Sequence, residues 1–266
     1  MMSSKRFLYS LLFVLASWQY SFAQEVATQI AVGHANHLDT YLSPEKYRGT
    51  EIRFISEVLK KKVMFQHEGD ISFTSNRANN ADEISGHYDF TFAMMHKWSW
   101  CDEKLTLRVG GMADLWLGFA YNTRNTNNPA QGYASLAVGP HIMASYKLSA
   151  IMKQPEKRFL KFLSTITVNY QMRMPWLGMM FSPNYGQSYY EIFTRGNYDH
   201  NVVLSHPFNT PSMRHALTLQ LHLKKVSLRL GYLGDYQQAD VNNLKYHNYS
   251  HLVVFGITRR FHIVNH

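Results

Sequence analysis

A single cysteine, Cys101, in 266 residues excludes an intrachain disulfide. Beyond residue 23 no apolar stretch approaches the roughly 20 residues that a spanning helix needs, which excludes a helical span there. No cysteine stands directly after the apolar N-terminal run, so a lipid-anchored lipoprotein is not indicated. Proline is scarce, and four of its eight residues, Pro175, Pro183, Pro207 and Pro211, crowd into 175–212. That crowding discourages sheet and reads as one long irregular loop. The basic residues never gather on one element. They sit at Lys60-Lys61-Lys62, Lys157-Arg158, Lys224-Lys225 and Arg259-Arg260, at turns and strand ends. Nucleic acid is therefore not an expected partner, although the formal charge is +9.

The N-terminus supplies an address. Lys5 and Arg6 form a short basic region, Phe7 to Trp18 is mostly apolar, and Ser21-Phe22-Ala23 offers small residues to a signal peptidase. These features predict a signal peptide over 1–23 and a mature domain over 24–266. Removing Lys5 and Arg6 lowers the charge from +9 to +7. Export without a helical anchor leaves the periplasm, the exterior or an outer-membrane barrel.

The pattern after residue 24 chooses among them. From Met213 onward, His215, Leu217, Leu219, Leu221 and Leu223 alternate with Arg214, Ala216, Thr218, Gln220 and His222. After Lys224-Lys225, Leu228, Leu230 and Tyr232 alternate with Ser227, Arg229 and Gly231. A period of two means strands with one apolar and one polar face, and the tight basic junction makes them a hairpin. The same alternation recurs near 26–37, 49–59, 63–75, 88–98, 105–121, 136–148, 162–173 and 246–262. Ten strands of 11 to 17 residues are long for a soluble sandwich, where about 5–6 is typical. With 17 Tyr and 16 Phe for interfacial girdles, the reading is all-β. It is a closed, antiparallel, up-and-down transmembrane barrel of about ten strands (8–12), in the outer membrane of a Gram-negative bacterium. With both termini in the periplasm, 38–47, 76–83, 123–132, 175–212 and 239–245 become external loops. The short connections 60–62, 100–104, 150–157 and 224–225 become periplasmic turns.

Apolar faces toward lipid turn a charged set inward. Its members are Glu51, Arg53, Glu57, Asp89, Lys97, Arg108, Asp114, Lys161, Arg173, Arg214, Arg229 and Asp235. In a narrow ten-stranded bore these charges must pair, because unpaired buried charge is costly. A plugged polar lumen follows, not an open pore.

Three constellations could carry chemistry. His247 and Ser250 near the top of the last strand are a candidate His/Ser pair for a rim hydrolase acting on lipid A or phospholipid. Three residues apart in a strand, they would face opposite sides. Asp199 and His200 in the long loop are an Asp/His candidate for a rim protease, with no second acidic pair beside them. His34 and His37 meet His247 and His251 where the first and last strands close the barrel, a candidate transition-metal seam. Solvated or girdle histidines beside Tyr249 account for the seam better, and no metal or cofactor is expected.

Leu38-Asp39-Thr40-Tyr41-Leu42-Ser43-Pro44, with Tyr47 and Gly49, and the closing His251-Leu252-Val253-Val254-Phe255-Gly256 resemble a family of uncharacterised outer-membrane barrels from Bacteroidetes-type bacteria. The resemblance implies the barrel and its location and carries no catalytic residues. The expected role is non-enzymatic: binding, structural support or partnership with another envelope component. Outer-membrane lipid and lipopolysaccharide are the expected surroundings, and loop 175–212 is the expected contact for a protein partner.

Overall fold

The computed structural model describes residues 25–126, 128–150, 162, 165–224 and 226–260. The expected signal peptide over 1–23, Lys161 and most of the expected turn at 150–157 lie outside those residues. Among the described residues there are twelve strands: β1 (Glu25–Asp39), β2 (Ser43–Leu59), β3 (Val63–Asn76), β4 (Asp82–Trp100), β5 (Leu105–Asn122) and β6 (Ala130–Lys147) in the first half. β7 (Ile166–Arg173), β8 (Leu177–Phe181), β9 (Val202–Ser205), β10 (Met213–His222), β11 (Ser227–Val241) and β12 (Leu244–Arg260) complete the set. A short helix, α1 (Tyr189–Phe193), lies between β8 and β9.

These strands make ten staves. β7 and β8 both pair antiparallel with β6, through His141↔Arg173 and Val138↔Leu177, so they form one strand kinked at Pro175. Met174 N–H donates to Pro140 O and Trp176 N–H to Val138 O, which carries the ladder past the residue that has no N–H. A side chain at Gly139 would put Cβ 1.8 Å from Met174 O, so the kink requires glycine there. β9 and β10 follow the same stave on its other side, interrupted by 206–212. β1 pairs with both β2 and β12, and β5 with β6, which closes the ring with every neighbour antiparallel. The fold is a closed antiparallel ten-strand β-barrel, as the alternation predicts.

Side-chain parity then sorts the two faces. Ile30, Val32, Ile52, Phe54, Phe73, Leu217, Leu219, Leu228, Leu230, Phe255 and Ile257 are exposed on the outside. Glu51, Arg53, Glu68, Asp89, Asp235 and their neighbours are buried inside. Among the described residues no helix is long and apolar enough to cross a membrane.

Several expected loops are strand. The segment 38–47 contracts to a three-residue turn, because Asp39 already pairs with Ser43. The segment 239–245 contracts to Asn242-Asn243, whose φ values of 52° and 60° make the tight turn that matches strand twist. Segment 175–212, read as one irregular loop, holds β8, α1 and β9. The contrast between long and short connections is consequently weaker than the sequence suggests.

Candidate functional site

The polar faces of ten staves meet in a lumen of three layers. The middle layer is an ion-pair core. Arg53 on β2 reaches Glu51 (2.7 Å), Asp235 (2.7 Å), Glu68 (3.1 Å) and Asp70 (3.5 Å). Arg173 on β7 reaches Glu68 (2.8 Å), Asp89 (3.0 Å) and Asp114 (3.3 Å). Arg214 on β10 reaches Asp235 (2.7 Å), Glu68 (2.8 Å) and Asp89 (3.1 Å). Glu68 therefore joins all three arginines. Three guanidiniums face six carboxylates, so further donors turn toward the acids. Ser250 donates to Glu51, Thr91 to Asp114, Gln66 to Glu68, Gln237 to Asp235, and the His87 ring lies 2.9 Å from Asp70. Charge-assisted pairs of this density hold their side chains rigidly and fill the bore.

Toward the loops the lumen turns aromatic. His87 stacks on Trp116 at 4.9 Å, and Trp116 packs with Tyr133 and Tyr246. Tyr133 donates to Asp39 at 2.6 Å. Tyr41, Leu42, Ala120 and Leu244 form an apolar cap against which Tyr133 and Tyr189 pack. Burial, then the nearby Asp39 and Glu191 carboxylates, pushes the Tyr41 phenol up to about 12. Beneath the cap, His37 Nδ1 lies 3.3 Å from Glu83 and 3.1 Å from the Ser85 hydroxyl, with Ser72 3.5 Å from Nε2. This acid–imidazole–hydroxyl grouping resembles a relay, yet all four side chains are buried under the cap, which leaves a substrate no approach.

Toward the termini the lumen opens. A cavity of about 690 Å³ is lined by Glu25, Glu57, Lys61, Lys97, Arg108, Lys147, Arg229 and Arg260, above which lie Gln29, Gln66, Gln171 and Gln220. Arg229 pairs with Glu25 (3.2 Å) and Glu57 (3.3 Å), Arg260 with Glu25 (3.1 Å), and Lys97 with Glu103 (3.0 Å). Arg108 makes no ion pair among the described residues.

The sequence candidates fall as follows. Glu51, Arg53, Glu57, Asp89, Arg108, Asp114, Arg173, Arg214, Arg229 and Asp235 all lie on the inward face. The inward set omitted Glu68 and Asp70, although alternation puts both on the polar face of β3 beside Gln66 and Ser72; their role appears only when the barrel closes. The His247/Ser250 dyad does not form. Ser250 points inward to Glu51, while His247 points outward and stacks on Tyr249 at 4.5 Å. Asp199 and His200 touch each other, 2.5 Å apart and exposed. Of the four seam histidines, His34 and His251 are outward register partners, His251 takes the Tyr232 hydroxyl at 2.6 Å, and His37 points inward. They do not converge, and no group of three metal-ligating side chains occurs among the described residues.

Several solved outer-membrane barrels are similar in fold. Neisserial surface protein A is 10% identical, with a TM-score of 0.37, over 90% of this chain and 98% of that one. The outer-membrane protease OmpT from Escherichia coli is 6% identical, with a TM-score of 0.45, over 90% and 97%. The translocator domain of the autotransporter NalP from Neisseria meningitidis is 9% identical, with a TM-score of 0.36, over 97% and 96%. No curated protein matches the sequence. A family model does match, over residues 12–266, and the chain belongs to that family, DUF3316, described as a protein of unknown function.

Proposed function

We propose that the protein is a sealed outer-membrane barrel of a Gram-negative envelope that works through its ends and not as a conduit. The ion-pair core carries this reading, because Arg53, Arg173 and Arg214 with six carboxylates fill the bore of a ten-stave barrel. Aqueous channels belong to barrels of about 16 or more strands. The apolar exterior suits lipid, and Lys46, Arg48 and Lys245, exposed on outward positions at the loop end, would meet the phosphates of lipopolysaccharide.

The external end supplies the binding surface. Tyr185, Tyr190, Phe193, Tyr198 and Phe208 are exposed there, Phe208 at 95%. They ride on a segment tied to the barrel through β8, β9 and α1. Exposed aromatics on an ordered scaffold suit a protein partner of the envelope.

Single-channel recording in planar bilayers tests the seal. Wild-type protein is expected to give no stepwise current, and regular current steps would overturn the reading. A photo-cross-linker at Phe208 in native membranes should give one discrete protein adduct, and adducts to lipid alone would remove the partner. Lipid hydrolysis abolished by both Ser250→Ala and His247→Ala would replace the whole reading with the rim hydrolase.

A further inference from the structure

The cavity at the termini end has a charge balance that its own residues leave incomplete. Lys61, Lys97, Arg108, Lys147, Arg229 and Arg260 face Glu25, Glu57 and Glu103. Ion pairs absorb Lys97, Arg229 and Arg260. Lys61, Arg108 and Lys147 make no ion pair among the described residues, so three cations surround one space. Buried donors in the wall are also unpartnered: Arg108 Nε, Arg229 Nε and Gln220 Nε2. Gln220 is 1% exposed, and its amide oxygen already accepts from Asn169. Unsatisfied buried donors are costly and mark sites where a ligand can supply acceptors. The volume of about 690 Å³ lies within the range of small-molecule sites.

We infer that this vestibule binds a phosphate monoester carrying a hydroxylated stem. Three cations that no ion pair holds among the described residues call for more than one negative charge, which a single carboxylate does not supply. A phosphate monoester carries close to two charges on three acceptor oxygens, and a guanidinium can bind two of those oxygens at once. Deeper in, Gln29 and Gln220 line the space, and the Gln220 amide nitrogen and one Glu57 carboxyl oxygen have no partner. Those groups suit hydroxyls, which distinguishes a polyol or sugar phosphate from the bare anion. The cavity stops at the ion-pair core, so the ligand enters and leaves from the periplasmic side.

Isothermal titration calorimetry on the full, detergent-purified barrel at low ionic strength tests the site, with glycerol phosphate as the monoester probe. Inorganic phosphate, sulfate and acetate form the comparison arms. Glycerol phosphate is expected to bind most tightly, and Arg108→Gln to weaken it at least tenfold. Arg48→Gln, on the outer face, should leave it unchanged. Heat-modifiable gel migration shows that each variant is folded. Absence of binding at low millimolar glycerol phosphate overturns the site, as does equal binding by Arg108→Gln. Acetate binding as tightly as the monoester overturns the phosphate, and inorganic phosphate binding as tightly overturns the stem. The conductance measurement that tests the seal is independent of all these outcomes.

Discussion

The two ends of the lumen contain the same kinds of residue and treat charge in opposite ways. In the middle and toward the loops, arginines are outnumbered by carboxylates, and each guanidinium is locked into three or four contacts. Toward the termini, cations outnumber carboxylates, and Arg108, Lys61 and Lys147 make no ion pair among the described residues. The first arrangement pairs every one of its guanidiniums with acids inside the barrel and serves as structure. The second is satisfied from outside and serves as a site. Both come from the inward positions of alternating strands, so the pattern that builds the barrel does not by itself say which half is which.

Substitution should separate the halves sharply. Arg53→Met removes the cation shared by Glu51, Glu68, Asp70 and Asp235 and leaves the buried Glu51 carboxylate with only the Ser250 hydroxyl. Breaking a buried ion-pair network from one side costs about 3–5 kcal/mol. The expected result is a large loss in urea midpoint for unfolding in detergent micelles. Arg108→Gln, in the water-facing vestibule, should change the same midpoint by less than ~0.5 kcal/mol. Equal losses would erase the distinction between core and site.

The aromatic cap tests the upper half on a smaller scale. Tyr133→Phe deletes the hydroxyl that donates to Asp39 and leaves the ring packed against Trp116 and Tyr246. A buried hydrogen bond to a charged group is worth roughly 1.5–3 kcal/mol. Thermal unfolding should fall accordingly, by less than for Arg53→Met. A neutral Tyr133→Phe would mean that the cap is held by packing alone.

Much of this was legible in the chain, and the limits have physical causes. Strand parity depends only on a period of two, so the lipid face of Leu217, Leu219 and Leu230 and the opposed directions of His247 and Ser250 can be read directly. Loop lengths were overestimated at 38–47 and 239–245 because polar residues serve equally in a turn and in a strand that projects above a membrane. Pro175 suggested an end to the sheet. It makes a kink instead, since the ladder continues through the amides on either side. Glu68 was hidden for a different reason. It meets Arg173 and Arg214 across separations of 105 and 146 residues, which only ring closure brings together. The surplus of cations at one end was invisible for the same cause: each stave contributes one or two charges, and the sum exists only in three dimensions.

The smallest expected effect lies outside the lumen, in the segment that carries the proposed partner surface. Ser188 caps α1: its hydroxyl accepts from the Glu191 amide, and the Glu191 carboxylate accepts from the Ser188 amide and hydroxyl. The Ser188 amide, and then its hydroxyl, hold the Glu191 carboxyl below the usual value of 4.5. A carboxyl lowered in the folded state stabilises it above the unfolded value, and that contribution disappears as pH falls through the folded value. Limited proteolysis of 182–201 should therefore be slow at neutral pH and accelerate as the pH falls below the ordinary carboxyl value, with the barrel still migrating as folded. Ser188→Ala should raise the rate at neutral pH, because no hydroxyl accepts from the Glu191 amide, and should keep part of the pH dependence, because the amide at 188 still donates to the Glu191 carboxylate. If the segment were cut at the same rate at pH 7 in wild type and variant, it would be held by its aromatic packing onto Tyr41 and Phe181 and not by the cap. The partner surface would then be fixed to the barrel by the same apolar contacts that close the lumen.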